Sequence, residues 1–389
     1  MRIKLFLSAI AISTAISYGQ NSMCQLIDTI VANNPDYRAF RLDSDAEING
    51  LKSENTLRGI DADFEYKFHE KGNRWGLGVS QSFDWPGVYR LRKNAIKTRQ
   101  LAAELQIRAL RRQLGLDVKN RLINLHYLQE EAALLEAARS NVNQALELIN
   151  RAYEKSEATI LDLRKAQTLA FSMAAQVDQL QNNIEEAKSG IALLNGGVMP
   201  KIPVLRYDED VLLPESSYLE LLDSNDPEIA AKQALTNAAV SDIKVASAQA
   251  LPGFSLGYVH DFEEEAHFNG FSVGIELPTW TNKYKKNQMV SIANSADVDF
   301  EKYRESRISQ LRNNYLKATR LQTLLQNSGS IFDNSFIDLL TTAFNAGQIN
   351  ALTYFAEVNQ FIEAKIEYLA LQKEYALTLA DLNSLTGEE

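Results

Sequence analysis

Asn34-Pro35-Asp36, near the start of the chain, returns as Asp226-Pro227-Glu228 at a shift of 192 residues. Trp85-Pro86 returns as Leu277-Pro278 at the same shift of 192. Further on, Ala152-Tyr153-Glu154-Lys155-Ser156 answers to Ala343-Phe344-Asn345-Ala346-Gly347 at 191, as does Leu194-Asn195-Gly196 to Leu385-Thr386-Gly387. Anchors kept in order with one residue of slip mark a duplicated supersecondary unit, not a short solenoid repeat. Whatever the chain folds into, it has to accommodate one pattern twice.

Each unit is predicted to run helix, two strands, very long helix, turn, long helix. In the first copy the opening helix is expected from Gln25 to about Leu57. Leu91 to about Tyr153 follows as one proline-free helix, which at the usual rise spans roughly 90 Å, far beyond the needs of a globular core. After Ser156, an unbroken 3-4 spacing joins Leu163, Ala166, Ala170, Met173, Val177, Leu180, Ile184, Ala187, Ile191 and Leu194. That spacing is a coiled-coil seam, and its alanines permit close helix approach. Shifted by 191, the register falls on Tyr354, Glu357, Phe361, Ala364, Tyr368, Leu371, Tyr375, Thr378, Leu382 and Leu385, mostly apolar again.

The ends and joints of the chain suggest export. Arg2 and Lys4 precede the apolar run from Leu5 to Ile16, and Ser17-Tyr18-Gly19 offers small residues for cleavage before Gln20. That is the pattern of a secretory signal peptide. Cys24, the single cysteine, excludes an internal disulfide framework. Asn21-Ser22-Met23 before it lacks the small residue of a lipid-acceptor site, so Cys24 reads as an ordinary thiol. The expected organisation is a leader over 1–19, a first repeat over 20–199 with a β-hairpin at 62–84, a proline-bearing linker over 200–216, and a second repeat over 217–389 with a hairpin at 253–278. No segment approaches the length of a spanning helix. A net charge of −10 disfavours a nucleic-acid partner.

The strands carry the most specific physical signal. Trp75, Leu77, Val79 and Phe83 alternate with Gly76, Gly78, Ser80, Ser82 and Asp84. Phe64, Tyr66 and Phe68 alternate with Asp63, Glu65, Lys67 and His69. In the second copy Phe254, Leu256 and Tyr258 alternate with Ser255 and Gly257, and Phe271, Val273, Ile275 and Leu277 with Ser272, Gly274 and Glu276. Period-two alternation with aromatic residues toward the ends suits a barrel wall with lipid outside and water inside. Two surface hairpins packed on the helices of a soluble protein would alternate likewise. Export favours the barrel, and four strands per chain leave edges that only several chains together can close.

In this order and double occurrence the motifs resemble the TolC-type outer-membrane efflux channels over nearly the whole mature chain. The resemblance rests on Asn34-Pro35 and Asp226-Pro227 opening each unit, on Gln81 to Gly87 leaving the first hairpin, and on Phe344 to Ile349 at a helical turn. It implies a mainly α fold with a small β part: duplicated coiled-coil hairpins forming an α-barrel, and four strands per chain in a trimeric transmembrane β-barrel. It implies a homotrimer in outer-membrane lipid extending into the periplasm, and a passive exit duct of a tripartite efflux or secretion system. The partners implied are a periplasmic adaptor protein and an inner-membrane pump, with the RND type as the expectation; Gln81 to Arg92 resembles channels of heavy-metal pumps. Tyr153, Ser156, Glu157 and Ala158, with Phe344, Gly347, Gln348 and Ile349, are the expected adaptor-docking tips. Asp162 stands where relatives ring the periplasmic entrance with acid, and its counterpart is Thr353. Trp75, Leu77, Val79, Phe83, Phe271, Val273 and Ile275 are expected to face lipid. At the first tip Ser156 replaces the glycine that a positive-φ turn favours.

No catalytic, cofactor or metal site is expected. The histidines are scattered: His126 lies in the long helix, and His260 and His267 are placed in an acidic outer loop with Asp261-Phe262-Glu263-Glu264-Glu265. Trp75-Gly76-Leu77-Gly78 sits inside a strand, not before a helix, and so is no phosphate loop. The rival to the channel is a periplasmic coiled-coil scaffold or adaptor without a pore, which would more often carry a single hairpin.

Overall fold

The computed structural model describes residues 23–68, 74–202, 211–263, 266–277, 281–332 and 335–385. The predicted leader, residues 203–210 of the predicted linker, His69, Pro278 and Thr386-Gly387 lie outside those residues. The elements follow the duplication. The first copy holds α1 (23–33), α2 (Pro35–Glu54), β1 (Ile60–Lys67), β2 (Arg74–Phe83), α3 (Pro86–Glu154) and α4 (Ile160–Leu194). The second holds α5 (Glu215–Asn225), α6 (Pro227–Ala248), β3 (Gly253–Glu263), β4 (Ala266–Glu276), α7 (Thr281–Ser328), α8 (Ser335–Asn345) and α9 (Ala351–Asn383). The chain is mainly helical with one small sheet, as expected.

Three helical expectations are corrected. The opening helix is not continuous from Gln25 to Leu57 but breaks at Asn34. Proline lacks the N–H that would continue the helix and disfavours helical geometry in the residue before it. Asn34 caps the new helix by accepting the Tyr37 N–H at 3.0 Å. Asp226 does the same for α6, taking the N–H groups of Glu228 at 2.9 Å and Ile229 at 3.3 Å. Next, α3 begins at Pro86, five residues before the predicted Leu91, because proline suits a first helical position. Finally, the long helix of the second copy is interrupted after Ser328 by the single turn Gly329–Phe332. Asn327-Ser328-Gly329-Ser330 is a run of weak helix formers, and Lys365 Nζ donates to the freed Phe332 carbonyl at 2.6 Å.

Two compact units result, and each takes parts of both sequence copies. One holds Arg111–Asn225, Ile308–Glu389 and the chain up to Arg38. In its main core Leu135, Val142 and Ile149 of α3, Ala166, Met173 and Val177 of α4, and Tyr354, Phe355, Val358 and Ile362 of α9 pack together. A second cluster joins Leu26 and Ile30 of α1 to Val118, Leu122 and Leu125 of α3 and Ile191 of α4. The predicted α4 seam is the buried face. In α9 the shifted register holds at Tyr354, Phe361, Thr378, Leu382 and Leu385, but Glu357 stays half-exposed and Phe355 and Val358 are buried beside it.

The other unit, Ala39–Leu110 with Asp226–Arg307, holds the sheet and its flanking helices. Besides Ile48 and Ile229, its buried hydrophobic residues are small, among them Ala231, Ala234, Ala238 and Ala246 of α6, and Val88, Ala95 and Ala102 of α3. Arg99 of α3 ties the helices by pairing with Asp242 at 2.6 Å and Glu47 at 3.3 Å. Tyr303 donates to Glu228 at 2.7 Å, and burial, followed by that hydrogen bond, raises its phenol pKa.

Ala166 is fully buried between the coiled-coil helices. Ala166→Leu is expected to overpack the seam and cost about 1–3 kcal/mol, read from the shift of the denaturation midpoint; an unchanged midpoint would mean that the seam has slack.

Candidate functional site

All four strands form one antiparallel sheet in the order β1-β2-β3-β4. The hairpins span Ile60–Phe83 and Gly253–Glu276, within two residues of the predicted 62–84 and 253–278. Ala62, Val79, Tyr258 and Phe271 lie in one cross-strand row, with Ile60, Gln81, Leu256 and Val273 in the next and Phe83, Phe254 and Ile275 beyond. The alternation therefore adds up across four strands into one broad apolar face. That face is open to solvent in the single chain: Phe271 is 90% exposed, Val273 73% and Ile275 71%. Trp75, Leu77, Val79, Phe83, Phe271, Val273 and Ile275 all share it.

The opposite face is polar and small. Asp61, Ser80, Gly257 and Ser272 form one row, and Asp63, Gly78, Val259 and Gly270 another. The glycines give the acids room: a Cβ on Gly78 would fall 2.7 Å from the Asp63 carboxylate. Nearer the hairpin ends Arg74 bonds Asp261 at 2.9 Å and approaches Glu263 at 3.9 Å.

The other predicted site lies at the two helical turns. At the first, Glu157 N–H donates to the Ala152 carbonyl at 2.8 Å and Ser156 N–H to Tyr153 at 2.9 Å. At the second, Gln348 N–H donates to Ala343 at 2.9 Å and Gly347 N–H to Phe344 at 3.0 Å. Both are Schellman motifs, which need a left-handed residue just past the helix. Ser156 adopts it at φ 61° and Gly347 at φ 68°, so the serine does not alter the turn. Tyr153 and Glu157 are exposed, whereas Phe344 stacks on Tyr354 at 4.8 Å and Ile349 packs against the core. An open groove of about 470 Å³ between α4 and α9 is lined by Arg164, Lys165, Thr168, Ser172, Asn359 and Glu363.

No family model matches the sequence, and no curated protein matches it at the level of sequence. Solved structures do match in fold. The Campylobacter jejuni CmeC outer membrane channel aligns with a TM-score of 0.77 at 15% identity, over 94% of this chain and 85% of that one. The outer membrane protein VceC of Vibrio cholerae aligns at 0.76 and 17%, over 94% and 96%. The open state of the Neisseria gonorrhoeae MtrE outer membrane channel aligns at 0.76 and 19%, over 94% and 88%. The fold is that of a TolC-type outer-membrane channel.

Within the TolC-type fold, one sequence expectation about the hairpins is corrected. His260 and Asp261 are not in an outer loop but in β3, on opposite faces of the sheet. His260 shares the apolar face with His267, their rings 5.7 Å apart, and its Nδ1 lies 2.7 Å from Asn269 Oδ1. The carboxylates of Asp261 and Glu263 project to the other side, toward Arg74. Imidazoles and carboxylates are thereby separated.

Asp162 and Thr353 take matching places, each at the third position of its helix. Asp162 forms a capping box with Thr159, receiving the Thr159 N–H at 3.1 Å and its hydroxyl at 2.7 Å. These hydrogen bonds, the hydroxyl's first, lower its pKa below the usual aspartate value. Thr353 N–H donates to the Asn350 side chain at 2.9 Å. The caps Thr159 and Asn350 were not singled out from the sequence, although Thr159-Ile160-Leu161-Asp162 carries a capping-box spacing.

Ser156→Gly is expected to stabilise the first tip by about 0.5–1 kcal/mol by relieving a left-handed non-glycine residue, and Gly347→Ala to destabilise the second similarly. Hydrogen exchange of the tip amides reads both; identical protection in the two variants and the parent would refute the assignment. Because the Asp162 pKa is lowered on folding, protection at the start of α4 is complete above the ordinary aspartate range. It falls as pH drops through the lowered value, and Asp162→Asn abolishes that dependence.

Proposed function

We propose that the chain is the outer-membrane channel of a tripartite efflux or secretion system, a passive exit duct and not an enzyme. The observation that carries this reading is the sheet: a broad apolar face open to solvent, a polar small-residue face behind it, and edges at β1 and β4 that no other strand among the described residues pairs. β2, β3 and β4, of ten to eleven residues, have the length of membrane-spanning strands. In hydrocarbon every edge N–H and C=O needs a partner, so β1 of one copy pairs with β4 of the next until the barrel closes. Three copies are the reading that the likeness in fold supports. Among the described residues no helix is long and apolar enough to cross a membrane.

The two helical tips are the docking points for a periplasmic adaptor, which connects the channel to an inner-membrane pump of the RND type. Tyr153, Ser156, Glu157 and Ala158, with Phe344, Gly347, Gln348 and Ile349, make up those tips, and their matched Schellman turns present both hairpins alike. Asp162 and Thr353 sit just inside and line the periplasmic entrance. Such a channel uses no ATP or ion gradient of its own.

Conductance in a planar bilayer, measured with the oligomer mass, tests the proposal: discrete conducting steps from a trimer are expected, and a monomer that never enters the bilayer would sink it. Val79→Arg, on the apolar face, is expected to cost roughly 2–4 kcal/mol near the midplane and to lower trimer yield in membranes. Gly347→Trp is expected to leave trimers intact and abolish transport; undiminished efflux would remove the tip from the docking assignment.

A further inference from the structure

The helices that leave the sheet begin against the usual electrostatic rule. A helix N-terminus carries partial positive charge and favours acidic neighbours. Accordingly α2, α4, α5, α6 and α8 open on Asp36, Asp162, Glu215, Glu228 and Asp338. Helices α3 and α7 have no acid in the first turn and carry Arg90, Lys93, Lys285 and Lys286 within about the first two turns. Helix α9 also lacks an acid there but has no cation in its first two turns. The anomaly thus belongs to the two helices that follow β2 and β4, once in each sequence copy.

These four cations are exposed and make no ion pair among the described residues. Their neighbours do: Arg58 bridges Asp84 and Glu276, and Arg92 meets Asp84 at 2.6 Å. At the other end of the sheet Lys67 and Arg74 are also paired. In a chain of net charge −10, four exposed cations without an ion pair among the described residues thus stand where the strands give way to helices. The register shows that the end of β2, the start of β3 and the end of β4 lie together there, Phe83 opposite Phe254 and Gly253 opposite Glu276.

The same end carries exposed aromatic residues. Trp85, just past β2, is 47% exposed, and Tyr284 in the first turn of α7 is 75% exposed. Beyond them lies the apolar face with Ile275 and Leu277. Apolar band, then Trp and Tyr, then Lys and Arg is the sequence of environments across a membrane interface from hydrocarbon to headgroup.

We propose that Arg90, Lys93, Lys285 and Lys286 form a basic collar that binds anionic phospholipid headgroups of the leaflet at the helix side of the barrel. This rests on the channel reading, since it needs the sheet in a bilayer. The phosphates neutralise the collar, supply the negative charge that the starts of α3 and α7 lack, and fix the depth of the sheet.

The test reconstitutes the full chain in vesicles of phosphatidylcholine mixed with phosphatidylglycerol, then measures by mass spectrometry which lipid stays bound after detergent extraction. Phosphatidylglycerol is expected to be enriched several-fold over its share of the bilayer. One Lys or Arg near an anionic surface is worth a factor of roughly five. The quadruple variant R90Q/K93Q/K285Q/K286Q is expected to lose the enrichment while still inserting. Should that variant fail to fold, K285Q/K286Q is expected to halve it or more, and raised salt during extraction to abolish it in the parent chain. Equal retention of the two lipids, or enrichment that survives the substitutions, overturns the collar. A chain that enters neither mixed nor pure phosphatidylcholine vesicles overturns the channel reading as well, so the two failures are distinguishable.

Discussion

Four strands cannot close on themselves. The outer edges of β1 and β4 carry backbone donors and acceptors that no strand among the described residues pairs, and β1 is exposed along its whole length. In water such an edge, beside a face holding Phe64, Leu77, Val79, Phe271 and Val273, is a template for aggregation. In lipid each unpaired group costs several kcal/mol. Under the proposed function both problems have one solution, the edge of another copy. Much else follows: small residues on the inner face, paired charges near the hairpin ends, and helices that enter and leave the sheet at one end.

The helical parts repeat a conformation without repeating the residues. Asn34 and Asp226 both cap a helix that begins with proline. Ser156 and Gly347 both take the left-handed position of a Schellman turn, although the serine does so at a cost that glycine avoids. Thr159 with Asp162, and Asn350 with Thr353, both satisfy the first N–H groups of the returning helix. At each joint the backbone requirement is the constant, and several side chains can meet it. That explains why the duplication was visible as anchors of similar type and not as identity.

What the sequence made legible was what depends on period. Alternation placed Trp75, Leu77, Val79 and Phe83 on one face because a strand allows no other arrangement, and the 3-4 spacing from Leu163 to Leu194 named the buried face of α4. Less legible was anything decided by a local contest. Pro35 breaks the opening helix because Asn34 supplies a cap and bonds the distant Leu194 carbonyl at 3.2 Å, a contact that no window of sequence contains. The run Asn327-Ser328-Gly329-Ser330 weakens α7, but the interruption is held by Lys365 and by Phe332 stacked on Tyr368 at 4.7 Å. His260 and Asp261 looked like a loop because acid follows them, while the strand continues through Glu263. As for the tips, position could be read from the repeat; the capping geometry of Asp162 depended on a hydrogen bond to Thr159.

The copies also differ where charge enters the interior. Asn34 caps α2 with a neutral amide, whereas Asp226 brings a carboxylate to a site only 4% exposed. Taking that charge out of water costs several kcal/mol unless donors surround it. Two backbone N–H groups at the helix start donate to one of its oxygens, and Arg307 stands in an ion pair with the other, Nε at 3.4 Å. At the shift of 192 the counterpart of Arg307 is Gly115. A neutral cap needs no cation, and the glycine there faces α1, where a Cβ would make an ordinary contact with Ile27 at 3.5 Å. Changes at the cap and at the facing helix therefore go together. One copy sets a carboxylate cap against an arginine, the other a neutral amide cap that bonds the Leu194 carbonyl, and the same element order survives both.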